Sequence, residues 1–127
     1  MPKKIYKKYN YSKVLYSIIA IAFIMAFFYA LDFYSHSLSD EYSVPDRYFR
    51  NKIIYGTLFI AVSYFLLRNK SILIKSSGIA TVTAVLLQIK YFFEGYALDF
   101  VVLFLFLHWV MIFIGSVIAF YSLRNKL

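Results

Sequence analysis

Two histidines and six carboxylates are the groups in this chain with most capacity for chemistry, and few of them stand where they could act together. Asp32 and His36 are four residues apart, just past an apolar run. A helix continuing outward for a turn or two would put both side chains on one face, with Asp40 one turn further. Carboxylate and imidazole at that spacing can bind a divalent metal such as copper or zinc. A stable site needs a third or fourth ligand, which only Asp40, Glu41, Asp46 or a partner chain could supply, and the competing reading is an ordinary polar loop. His108 is the one ionisable group near the centre of an apolar segment, and such groups are functional candidates because burying them is costly. A neutral imidazole costs less than a charge, and hydrogen bonding to Gln88, Thr81 or a tyrosine would equally account for it. His108 and Gln88 are therefore the candidate intramembrane polar site, open to a structural, proton-relay or ligand role. Lys90 and Glu94 suit an interfacial ion pair at i, i+4, and Asp99 suits the start of a helix.

No catalytic set is expected. The chain has no Gly-rich phosphate loop, no Ser/His/Asp arrangement and no His-x-x-x-His pair. With no cysteine, disulfides, thiolate metal sites and cysteine nucleophiles are excluded.

The elements that must position these residues are transmembrane helices. Of 127 residues, 62% are hydrophobic and 22% aromatic, and the mean hydropathy is +0.69. A soluble domain of this size has too little interior to hide that much apolar surface. The expected fold is all-α, a single membrane domain over residues 1–127 with four spans at about 14–31, 53–67, 76–93 and 100–121. The first is uncharged throughout and has no amphipathic period, which speaks against a soluble bundle. It is too long for a signal-peptide core and no good small-x-small cleavage site follows, so it reads as an uncleaved anchor. The second is short against the roughly 20 residues needed to cross ~30 Å of hydrocarbon, with Tyr48, Phe49 and flanking basic residues extending it.

Charge gives the orientation. Lys3, Lys4, Lys7, Lys8 and Lys13 precede span one, Arg68, Lys70 and Lys75 lie between spans two and three, and Arg124 and Lys126 follow span four. All six acids, Asp32, Asp40, Glu41, Asp46, Glu94 and Asp99, fall on the other side. The excess of basic residues on one side predicts a multi-pass protein of the cell membrane with both termini cytoplasmic. The net charge of +8 then reports orientation and contact with anionic headgroups rather than nucleic acid. Loop one, about Asp32 to Lys52, is the one sizeable extramembrane segment, with a turn at Pro45 leading into a short helix that Asp46 could cap. Small residues suggest where helices approach closely: Ala22, Ala26 and Ala30; Ser77, Thr81, Ala84 and Gln88; Gly56; Gly115 and Ala119.

Four spans, few catalytic candidates and abundant aromatics resemble a small accessory subunit of a larger membrane enzyme. With the runs Ala-Leu-Asp-Phe-Tyr-Ser-His-Ser-Leu-Ser-Asp-Glu-Tyr (30–42) and Pro-Asp-Arg-Tyr-Phe-Arg-Asn-Lys (45–52), the chain resembles the small extra subunit of archaeal ammonia monooxygenase. That resemblance implies a copper-dependent host complex of integral membrane subunits. The copper-bearing subunit of that family uses an Asp-x-x-x-His pattern with a further His, and Asp32 to His36 match the first part; Phe49 stands where the further His is expected. The implied role is structural bracing of catalytic subunits in the bilayer. The competing expectations are a homo-oligomeric transporter or channel using His108 and the polar face of span three, and a metal-binding membrane protein using Asp32 and His36.

Overall fold

The computed structural model describes residues 11–127. It contains four α-helices, α1 (Tyr11–Ser37), α2 (Asp46–Leu67), α3 (Ile72–Phe93) and α4 (Leu98–Ser122), with one 3-10 turn at Asp40–Tyr42 and no strand among the described residues. Connections of a few residues force consecutive helices to run antiparallel, and the four close into a ring in which each touches the next and α4 returns to α1. The all-α expectation holds.

Three of the four helices, α1, α3 and α4, are long and apolar enough to cross a membrane; α2 is not. The four expected spans thus reduce to three by length and composition. The reason lies in the first turns of α2, where Asp46, Arg47, Arg50 and Lys52 precede its apolar stretch. The expected turn and interfacial helix at Pro45 are not separate from span two. Pro45 stands at the N-cap position in extended geometry and α2 runs on unbroken from Asp46. Asp46 is therefore in the first turn, favourable to the helix dipole, and does not cap. Helix α1 likewise passes its expected exit at Leu31 and continues to Ser37, so Asp32 and His36 belong to a helix and not to a loop.

The buried face of α3 runs through Ser76, Ile79, Ala80, Thr83, Ala84 and Leu87, adjacent pairs set one helical turn apart. Small residues at that spacing suit the close packing of α3 on α4, while Gly115 and Ala119 of α4 turn toward α1. On α4, a Cβ at Gly115 would stand 2.8 Å from the Phe27 ring of α1, so this glycine admits an aromatic side chain from a neighbouring helix. Gly56 of α2 faces Met25 and Leu87. The spacing of Ala22, Ala26 and Ala30 on α1 marks a helix contact without saying with which helix, and all three face away from the bundle.

Charge segregates between the two ends. At the end where α1 and α3 begin lie Lys13, Arg68, Lys70, Lys75, Arg124 and Lys126, with no acid among the described residues. The other end holds the acids. There α3 stops at Gly95, whose φ is +93°, with Tyr96 N–H donating to Tyr91 O and Gly95 N–H to Phe92 O. This left-handed closure satisfies the last carbonyls of α3 and suits a residue without a Cβ.

Nothing lies within 4 Å of a Cβ added at Gly95, so Gly95→Ala tests conformation alone. The expected loss is about 1 kcal/mol in thermal or denaturant unfolding of the detergent-solubilised protein. An unchanged midpoint would show that the α3–α4 connection does not depend on the left-handed residue.

Candidate functional site

The polar groups singled out on α1 and α4 meet inside the bundle, together with a residue that sequence reasoning placed at its edge. Helix periodicity stacks Asp32 and His36 on one face of α1, and that face turns inward: both are buried. Lys52 enters from the second turn of α2 and His108 from the middle of α4, each with no exposed surface. Lys52 Nζ lies 2.5 Å from Asp32 Oδ2. His108 Nε2 lies 2.8 Å from Asp32 Oδ1 and 3.1 Å from Lys52 Nζ. His36 completes the group, with Nε2 at 3.4 Å from Asp32 Oδ1 and Nδ1 at 2.7 Å from the Tyr42 carbonyl oxygen.

Partner chemistry fixes where the hydrogens sit. A carbonyl oxygen only accepts, so His36 Nδ1 carries the hydrogen and donates to Tyr42, leaving Nε2 of the neutral ring as a lone pair. That lone pair faces a carboxylate oxygen, which explains a separation longer than a good hydrogen bond. At His108 the shorter contact decides: Nε2–H donates to Asp32, and Nδ1 is buried without a partner. The 3.1 Å approach to Lys52 then follows from both groups sharing one carboxylate. With neutral rings, the cluster holds one negative and one positive charge and sums to zero.

Aromatic rings close the site. The His36 ring stacks on Phe104 at 4.2 Å between centroids and 5° between planes, and meets Tyr48 and Phe49 edge-on. The Phe28 ring meets His108 edge-on at 5.0 Å. The Lys52 ammonium lies 4.1 Å from the centre of the Tyr48 ring, 5.4 Å from Tyr91 and 5.7 Å from Phe28, a cation–π cage around the side of the cation away from Asp32. Tyr48 and Tyr91 stack at 4.3 Å and also line a cleft of about 460 Å³ with Arg47, Asn51, Glu94 and Tyr96. Tyr96 sits in the connection beyond α3, where burial, reinforced by the charge of Glu94, raises its phenol above the ordinary value.

Several expectations take a different form. The pairing of His108 with Gln88 or Thr81 does not occur. Gln88 donates to the Val101 carbonyl at 2.7 Å, tying α3 to the start of α4, while Thr81 accepts from Trp109 Nε1 at 3.0 Å. Lys52, read as a flanking interfacial lysine, is the counter-ion of Asp32. Lys75, assigned to the loop between spans two and three, lies in α3 with its ammonium 4.4 Å from the Phe120 ring centre. The Lys90–Glu94 pair forms as expected at the surface. Asp99 accepts from Phe100 N–H in the first turn of α4. None of Asp40, Glu41 or Asp46 joins Asp32 and His36; the third potential ligand is His108.

One ligand atom from each of Asp32, His36 and His108 falls within 4.8 Å of the others. One carboxylate and two imidazoles suit zinc or copper. The Lys52 ammonium, however, takes the cation's place beside the carboxylate, and would repel a divalent ion held there. The arrangement as it stands is an internally neutralised carboxylate, and a metal could use these ligands only with Lys52 displaced or deprotonated.

Asp32→Asn should therefore leave a buried ammonium without its counter-ion, destabilising the protein by about 3–5 kcal/mol. Lys52→Met alone should cost a comparable amount. The double variant Asp32→Asn/Lys52→Met should be markedly more stable than the sum of the two, measured by unfolding in one detergent. Additive losses would mean that the pair is not coupled. No family model, no curated protein and no solved structure matches this chain, so its reading rests on the geometry above.

Proposed function

We propose that this protein is a non-catalytic subunit of a larger membrane complex, inserted through all four helices with the basic end and both termini on the cytoplasmic side. Hydropathy counts Lys52 of α2 as a free charge, but paired with Asp32 inside the bundle it presents none to lipid. That neutralisation supports α2 as a fourth span, with the aromatic residues around it extending its apolar length. The excess of basic residues at one end supports the orientation.

The observation that carries the subunit reading is the outward stripe Ala22, Ala26 and Ala30. Within a bilayer, small residues at i, i+4 and i+8 allow a second helix to approach, and this bundle leaves the stripe uncovered. The polar cluster, enclosed by Phe28, Tyr48, Phe104 and its own ion pair, suits a brace that holds three helices together better than a substrate path. The host that best fits the chain's character is the archaeal ammonia monooxygenase, with copper held by other subunits. Co-purification with larger membrane subunits in mild detergent is expected. Ala26→Phe should abolish that association while leaving the unfolding midpoint within about 0.5 kcal/mol of the wild type, as for surface substitutions. A self-contained homo-oligomer that supports substrate flux would overturn the proposal in favour of a transporter or channel.

A second reading, a metal site, is favoured by the convergence of Asp32, His36 and His108. After equilibration with zinc or copper, this reading expects one ion per chain in the wild type and none in His36→Ala. Equal metal content in the two would remove it.

A further inference from the structure

The buried ion pair ties α1 to α2 near the acidic end of the bundle. Toward the basic end the same two helices separate, and a groove of about 650 Å³ opens between them. One stripe of each helix lines it, Val14, Ile18 and Ile21 on α1 and Ala61 and Phe65 on α2 at helical spacing, and Leu127 borders it. The Ser17 and Tyr64 hydroxyls meet at 2.6 Å across it, a direct polar tie between the two helices at this level. Lys13 and Arg68 stand at its mouth with Asn69 beside them. The Arg68 guanidinium donates to the Phe65 carbonyl at 2.6 Å and lies 4.2 Å from that ring, which fixes it at the rim and leaves its remaining donors for another acceptor.

Apolar walls under a cationic mouth complement one kind of molecule in a bilayer, an amphiphile with an anionic head and a hydrocarbon tail. The surroundings strengthen the complementarity, since no acid among the described residues lies at this end. A second helix would fit the walls but not the mouth. Residues 1–10 are themselves basic, with four lysines, and so do not match it either. We propose that the α1–α2 groove binds an anionic phospholipid, its phosphate held by Lys13 and Arg68 and an acyl chain lying along Ile18, Ile21, Ala61 and Phe65. The inference rests on the membrane reading above, and alkaline extraction of native membranes tests that separately: a protein released without detergent refutes insertion whatever its lipid binding.

The groove is tested on the full chain purified in mild detergent, by native mass spectrometry with phosphatidylglycerol and phosphatidylcholine of identical chains. Retention of phosphatidylglycerol is expected, weakened on the order of tenfold or more in Lys13→Gln/Arg68→Gln. The same weakening is expected in Ala61→Trp, which keeps both charges and fills the groove. Arg124→Gln, at the same end but not lining the groove, should bind as the wild type does. Equal binding of phosphatidylcholine would overturn the proposal, as would equal weakening by Arg124→Gln. Displacement of the lipid by millimolar inorganic phosphate would show a free-anion site and overturn it too.

Discussion

The contact between Asp32 and Lys52 constrains the rest of this protein, because neither charge could be buried without the other. Moving one ion out of water costs several kcal/mol even after relaxation, and the attraction between two of them offsets that only in close, well-satisfied geometry. Here the carboxylate receives Lys52 on one oxygen and His108 on the other, and the ammonium is wrapped by Tyr48, Tyr91 and Phe28. These groups come from all four helices. Satisfying one carboxylate therefore sets the mutual register of the whole bundle near its acidic end.

Such a device has particular value in an apolar solvent. Hydrophobic burial does little to bring helices together when the surroundings are as apolar as the side chains, so small-residue packing and directional polar contacts carry the association. The bundle uses both. Small residues line the packed faces, Ala80 and Ala84 on α3 and Gly115 of α4 against Phe27 of α1, while the ion pair joins α1 to α2 and, through His108, to α4. The division of labour explains the groove. Where the polar tie holds, α1 and α2 are close; away from it they are linked by the Ser17–Tyr64 contact, and they part.

Two of the surfaces left after the core is filled differ in chemistry. One is the outward alanine stripe of α1, which offers close approach and no charge. The other is the cationic mouth above apolar walls. A protein partner suits the first and a charged amphiphile the second. The polar cluster lies between the two ends and is enclosed, so its chemistry is directed at the protein's own helices.

Much of this was legible along the chain. Local hydropathy determined the helices, since an apolar run of span length must satisfy its backbone within itself, and charge placement determined which ends lie together. The i, i+4 spacing of Asp32 and His36 put them on one helix face, and the isolation of His108 in an apolar segment marked it as needing a partner. What the sequence could not decide was which way each face turns. Lys52 looked like a flanking lysine because it ends the polar run Arg50-Asn51-Lys52 just before the apolar stretch from Ile53; only the packing of α2 against α1 shows it reaching inward to Asp32. The alanines of α1 marked a close helix contact without naming the partner, and they face outward because the carboxylate on the other side of that helix had the stronger claim to the interior. Spacing along one helix is a local property, but the choice of partner across the bundle is set by the energy of burying a charge, and that depends on residues 20 and 76 positions away.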